Sequence, residues 1–457
     1  MARTIDMTRG GPSAGLLKFA LPLMASSLLQ QLYNTVDSII VGRFVGLEAL
    51  AAVGLCGTVI NLLISFVTGA ANGIAMVAAR FMGAKDEYRL RLCATVSLLA
   101  TLVLALLIST VGVAVSEPLL QAIHTPADVM ESALSYLRIS FSLSSFMILY
   151  NSGSALLRGM GDAKTSLYIL LAACVSNVFL DYIFVVVFSM GTDGAAWATV
   201  LAQGVSAALV VLWLLKKVRP EKIERAARQN ATAILREIAA IGLPTGIQQT
   251  IGSISGVIVQ NLINAFGTLY IAANNIVVKV DHFCVMPIMS FSTALNTFVG
   301  QNVGAKRMDR VRRGARDGLL IGSGISLVST AIMLLFGRYC MLLFTDDQSA
   351  IATAMTMLSI IAPFWIGMAA QQNVASILRG MGESVLPMAV SVLGLFLFRI
   401  PSAYLLYAAT GNPFTCWWSM AMNWALCGLI LLVYYVSGRW RQNRRIIRAM
   451  GDLFGQR

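Results

Sequence analysis

The sequence predicts an all-α polytopic membrane protein with twelve transmembrane helices in two parallel six-helix lobes. Three observations carry that fold class: apolar composition cut into spans, basic residues confined to alternate loops, and an internal repeat. Of the 457 residues, 57% are hydrophobic and 12% charged, with a mean hydropathy of +0.76. A soluble protein carries about twice that charged fraction. A single soluble core is therefore the wrong description, and bilayer-spanning segments are the right one.

Twelve apolar spans follow in order, at about 15–41, 50–80, 91–115, 131–156, 164–188, 193–215, 237–264, 270–300, 314–337, 350–377, 385–409 and 415–437. The first outlasts the apolar core of a cleavable signal and carries Gln30, Gln31 and Asn34, so it is read as a span. Nearly all of the 34 Lys and Arg lie before span 1, after the last span, or in even-numbered loops. These positions include Lys85 and Arg89, Lys216 to Arg236, Lys306 to Arg316, and Arg439 onward. The other loops hold Arg43 and Arg338 among acids such as Glu117, Asp193, Asp346 and Asp347. This bias places both termini in the cytoplasm. It also explains the net charge of +13 as topology, with no nucleic-acid partner implied.

The halves repeat. Gly83-Ala84-Lys85 returns as Gly304-Ala305-Lys306, and Leu157-Arg158-Gly159-Met160-Gly161 as Leu378-Arg379-Gly380-Met381-Gly382. Trp197 returns as Trp418, and Gly46 as Gly267, always 221 positions on. Six spans per half is an even number, so the halves insert with the same polarity. The expected organisation is an N-terminal lobe at 1–215, a cytoplasmic linker at 216–236, a C-terminal lobe at 237–437 and a basic tail at 438–457. Both Arg-Gly-Met-Gly copies read as structural turns whose arginine reaches lipid headgroups.

Within span 1, Gln30, Asn34 and Asp37 share one helical face at i, i+4 and i+7. A carboxylate at that depth costs about 2.5–3.5 kcal/mol on insertion scales, so it faces a cavity or a partner. Asn177 and Asp181 share a face of span 5 at i, i+4. Asp37 and Asp181 fall at similar depth in the outer half of the first lobe, and Thr199 enters from the same side. Such a pair of carboxylates takes up and releases a proton, or holds Na⁺ with Asn177, or forms a hydrogen-bonded structural pair.

Other polar residues inside spans are candidates to line a substrate cavity: Gln30, Asn34, Asn61, Gln249, Ser253, Gln260 and Gln372. The second lobe adds a charged cluster, Lys279, Asp281, His282 and Arg399. It reads either as internal ion pairing, Lys279 or Arg399 with Asp281, or as a second ion or substrate site. Arg138 snorkels or pairs with an acid. Pro22 and Pro244 occupy matching first spans and read as hinges; Pro287, Pro363 and Pro401 interrupt other spans.

Enzyme machinery is not visible. No GxxxxGK[ST] loop occurs. His124 and His282 lie outside any triad or metal spacing, and the seven cysteines are scattered. No cofactor and no structural metal are expected.

The run Gln30-Gln31-Leu32-Tyr33-Asn34-Thr35-Val36-Asp37 leading to Val41-Gly42-Arg43, the paired Leu-Arg-Gly-Met-Gly turns and the two six-span halves resemble the bacterial MATE (multidrug and toxic compound extrusion) transporters, in particular the DinF-like and MepA-like branch. The resemblance covers the whole chain. It implies a cation site at Asp37, Asn177, Asp181 and Thr199. The NorM-like branch instead uses acids in spans 7 and 10, where this sequence has amides. The resemblance further implies an inner-membrane monomer among lipids, exporting organic cations or drugs against H⁺ or Na⁺ by alternating access. A flippase for lipid-linked saccharides and a non-transporting scaffold are the alternatives.

Overall fold

A computed structural model describes residues 4–122, 125–219, 228–443 and 446. The described residues are helical almost throughout: α1 (Pro12–Phe44), α2 (Leu47–Ala84), α3 (Glu87–Ala122), α4 (Ala127–Ser142), α5 (Ser144–Gly159), α6 (Ala163–Asp181), α7 (Gly191–Lys217), α8 (Arg228–Asn264), α9 (Thr268–Gly304), α10 (Met308–Leu342), α11 (Gln348–Ile361), α12 (Trp365–Gly380), α13 (Val385–Leu393), α14 (Ile400–Thr410) and α15 (Thr415–Val436). Short π turns follow α6 (Tyr182–Val187) and α13 (Gly394–Arg399). Of the expected linker, residues 220–227 lie outside the described residues, as do His124, Arg3 and most of the tail. Lys216 and Lys217 close α7, and 228–236 open α8.

Among the described residues ten helical segments are long and apolar enough to cross a bilayer, and taking the pair α4–α5, bent by 47°, as one span gives eleven. The twelfth expected span is α8, whose 37 residues are long enough but carry Gln248, Gln249, Ser253, Ser255 and Gln260. Most helices overrun the expected spans at their ends. The helix continues through the interface because its backbone hydrogen bonds cost nothing there, whereas hydropathy stops at the hydrocarbon edge. Pro287 lies inside an unbroken α9, while Pro363 sits in a 3₁₀ turn (Ala362–Phe364) between α11 and α12.

The chain forms two compact units, and their boundaries fall inside helices. The first unit contains Ala25–Gly242 and the second contains Asp6–Met24 together with the chain from Leu243 on. Each unit thus includes the opening turns of the other half's first helix. In the first unit, Ile234, Ile238 and Ile241 of α8 are buried with Ile74, Val77 and Phe81 of α2. Arg80, almost fully buried, pairs with Glu237. In the second unit, Leu16 and Phe19 of α1 are fully buried. There the Met7 N–H donates to Gln301 Oε1 (3.0 Å), Arg307 donates to the Thr8 carbonyl (2.8 Å), and Ser13 Oγ donates to Asp317 Oδ2 (2.7 Å).

The sequence repeat marks its tightest corners. Lys85 and Lys306 both adopt left-handed backbone, at φ 55° and 60°, where α2 and α9 end. Gly161 and Gly382, at φ 84° and 99°, turn the chain after α5 and α12. An acid follows each turn and fixes it. Asp162 accepts from the Thr165 N–H (3.2 Å) and pairs with Lys217. Glu383 accepts from the Val385 and Leu386 N–H groups (2.8 and 2.9 Å) and from Asn443 Nδ2 (2.9 Å). Both satisfy the free donors of a helix start.

Candidate functional site

The first unit brings Asp37, Asn177, Asp181 and Thr199 into one polar cluster. Helix α1 carries Tyr33 and Asp37 one turn apart, α6 carries Asn177 and Asp181 one turn apart, and α7 presents Thr199. Asn177 and Asp181 are fully buried. With its amide oriented so that both ends are satisfied, Asn177 donates through Nδ2 to Asp181 Oδ2 (2.7 Å) and accepts at Oδ1 from the Thr199 N–H (3.3 Å). The carboxyl groups of Asp37 and Asp181 lie within hydrogen-bonding reach of each other. One oxygen on each, Oδ1, is buried with no other partner.

That geometry limits the chemistry. Two ionised carboxylates in contact and out of water repel strongly; the contact persists with a proton shared between them or a cation bridging them. Asn177 fixes the position of Asp181, and the π turn that begins at Tyr182 leaves Asp181 at the last α-helical position. Two tyrosines flank the cluster. Tyr33 stands one helical turn before Asp37 on α1, and Tyr136 of α4, 7% exposed, is buried in the same core as Val41 of α1. Neither was assigned from the sequence. Tyr33 was legible in principle, since it sits four residues before Asp37 on the same face. Tyr136 was not, because nothing local ties α4 to α1. Among the described residues no group of three or more His, Cys, Asp or Glu forms a metal site.

The cavity candidates divide between the units. Gln30, Asn34 and Asn61 belong to the first unit and are exposed. Gln249, Ser253, Gln260 and Gln372 belong to the second and are half-buried. Gln260 is engaged in joining helices: it accepts from Asn274 Nδ2 (2.9 Å) and donates to Asn264 Oδ1 (2.8 Å). Ser253 donates to the Gln249 carbonyl (3.3 Å), and the Gln372 carbonyl accepts from Ser292 (2.8 Å).

The charged cluster of the second unit does not form the ion pairs that its composition suggested. Asp281 accepts from the Trp365 indole N–H (2.9 Å). Arg399 reaches the Met420 sulfur (3.5 Å), and Lys279 lies over the Phe344 ring at 5.3 Å. His282 is exposed. Lys279 and Asp281, two positions apart on α9, do not share a helix face, and Arg399 is turned to Met420 instead. The two turn arginines also depart from the lipid-facing expectation. Arg158 donates to Ser154 (3.0 Å) and Arg379 to Gln248 (3.2 Å), so both point into the protein. Arg138 does pair with Glu117, at 3.4 Å.

Comparison with known proteins gives a consistent result. The family model described as MatE matches twice, over residues 22–183 and 244–405. The probable multidrug resistance protein YpnP of Bacillus subtilis is 27% identical, over 96% of this chain and 98% of its own. The probable multidrug resistance protein NorM of Thermotoga maritima is 25% identical, over 95% and 94%. Among solved structures, the outward-facing form of a multidrug resistance MATE family transporter of the MOP superfamily matches with a TM-score of 0.89 at 23% identity, covering 98% of both chains.

Proposed function

Because the chain belongs to the MATE family, whose members are membrane transporters and not enzymes, we propose that it exports amphipathic, often cationic, organic compounds in exchange for an inward-moving cation. The names of its relatives support multidrug export. The coupling reading rests on one observation, the contact of Asp37 with Asp181 beside Asn177 and Thr199.

In this reading a cation arriving from outside neutralises the carboxylate pair. The loss of charge changes how α1 packs against α6 and α7. Pro22, which removes a backbone donor from α1 three residues before the unit boundary at Ala25, lets the helix bend there. Pro244 plays the matching part in α8. Entry of one charge is driven by about 2.3 kcal/mol per 100 mV of membrane potential. H⁺ suits the cluster better than Na⁺. The Asn177 oxygen already accepts from Thr199, which leaves few free oxygens to replace a sodium ion's hydration shell. The protein would act in a bacterial inner membrane, with both termini cytoplasmic.

The test is efflux of a cationic dye from proteoliposomes under separately imposed pH and Na⁺ gradients, for wild type, Asp37→Asn and Asp181→Asn. Loss of gradient-driven efflux in both variants supports the site, and the effective gradient names the ion. Efflux that survives in both removes these carboxylates from coupling.

A further inference from the structure

The second unit holds one carboxylate that the coupling reading does not use. Asp281 lies about 20 Å along α9 from Thr268, at 1.5 Å per residue, and so within the hydrocarbon layer. It stands among the buried positions Val277, Val280, Cys284 and Ile288, one stripe of α9 turned to the apolar core of its own unit. Lys279, His282 and Phe283 are exposed. No cation pairs with Asp281 among the described residues, since Arg399 is spent on Met420 and Lys279 on Phe344. Its Oδ1 is held by the fully buried Trp365. Its Oδ2 has no protein donor, yet is not among the sealed polar atoms of the core.

The partner's location is a second, independent observation. Trp365 is the first residue of α12, directly after the 3₁₀ turn Ala362–Phe364 that interrupts the membrane-crossing rod α11–α12. Within that break the Ala362 carbonyl accepts from the Trp365 N–H and also from Thr330 Oγ1 (2.7 Å). Broken helices at membrane depth are tolerated where they are buried in protein or line a cavity. Here the break places an indole N–H against a carboxylate that has no counter-charge. A half-buried intramembrane acid that lacks a counter-charge and keeps one oxygen open attracts one class of ligand: a monovalent cation whose charge is spread over an apolar body. Such a cation needs no hydration shell, and its charge is favoured by the carboxylate.

We propose that Asp281, positioned by Trp365, is a binding site for lipophilic monovalent organic cations in the C-terminal unit. The inference rests on the export reading and names where its cationic substrates are held. Trp365 is a positioning residue, and Asp281 the one that meets the ligand.

The experiment is equilibrium binding of radiolabelled tetraphenylphosphonium to the full-length protein in detergent, with neutral triphenylphosphine oxide as the uncharged companion. Asp281→Asn should weaken tetraphenylphosphonium binding at least tenfold and leave the neutral probe within twofold. Asp281→Glu should keep the charge and most of the affinity. Trp365→Phe, which retains an aromatic ring and loses the N–H donor, should weaken the cation about threefold and leave the neutral probe unmoved. Unchanged cation affinity in Asp281→Asn, with wild type binding normally, overturns the proposal and leaves the export reading intact. Should Asp281→Asn fail to fold, unchanged cation affinity in Trp365→Phe overturns it instead. If wild type neither binds the cation nor exports it from proteoliposomes, the export reading falls and this site falls with it.

Discussion

Asn177 does more in the N-terminal cluster than its neutral side chain suggests. It donates to Asp181 and accepts from Thr199, so a single amide sets the distance between α6 and α7 and aims one carboxylate at the other. Asn177→Leu keeps the volume and removes both bonds. A buried polar group left without its partner costs about 1–3 kcal/mol. Gradient-driven efflux should fall at least tenfold, while equilibrium binding of the dye stays within twofold; an equal loss of both would assign Asn177 to general folding. Tyr33→Phe is a milder probe, because it removes only a hydroxyl, one helical turn from Asp37. A hydroxyl that makes one neutral hydrogen bond during coupling is worth about 0.5–1.5 kcal/mol, so efflux slows by roughly two- to tenfold. Unaltered efflux would make Tyr33 a packing residue.

At the scale of elements, the two halves use the same corners for the same purpose. Helices α5 and α12 each have 16 residues, begin after a break and end at a glycine two positions before the turn glycine, with starts at 144 and 365, the repeat distance apart. Close packing fixes these corners as firmly as backbone angle does. A Cβ on Gly159 would lie 2.3 Å from the Ala75 carbonyl oxygen of α2, and one on Gly256 of α8 would meet nothing within 4 Å. Gly159→Ala should therefore destabilise the protein by about 1–3 kcal/mol through overpacking. Gly256→Ala should be neutral or slightly stabilising, since alanine is the better helix former. Melting temperatures of the two purified variants decide it: equal values would mean that α5 and α2 are not in contact at Gly159.

For the molecule as a whole, the charge pattern predicts the insertion direction. Lys85 and Lys306 terminate α2 and α9, while Asp346 lies beyond α10 on an odd-numbered loop. With both termini cytoplasmic, a membrane-impermeant maleimide added to intact cells should label Asp346→Cys in a cysteine-free background. It should label Lys85→Cys and Lys306→Cys only after lysis. The opposite pattern would overturn the orientation.

What could be read from the sequence was what is written along one helix or repeated along the chain. Spans appear as apolar runs because each must match the bilayer by itself, and basic loops declare their side independently of packing. The repeat exposes the corners, since left-handed or crowded backbone demands particular residues at Lys85, Gly161 and their copies. Asp37, Asn177 and Asp181 were legible because polar residues on one face of an apolar helix cost too much to be accidental. Tertiary structure decided the rest. Only packing could show that α1 and α8 open inside each other's units, that Tyr136 of α4 shares a core with α1, that Asp281 bonds Trp365 and no cation, and that Arg158 and Arg379 turn inward. Those outcomes depend on which faces of distant helices meet. A local pattern restricts each helix to a stripe, and the partner of a stripe is chosen by the fit of all the others.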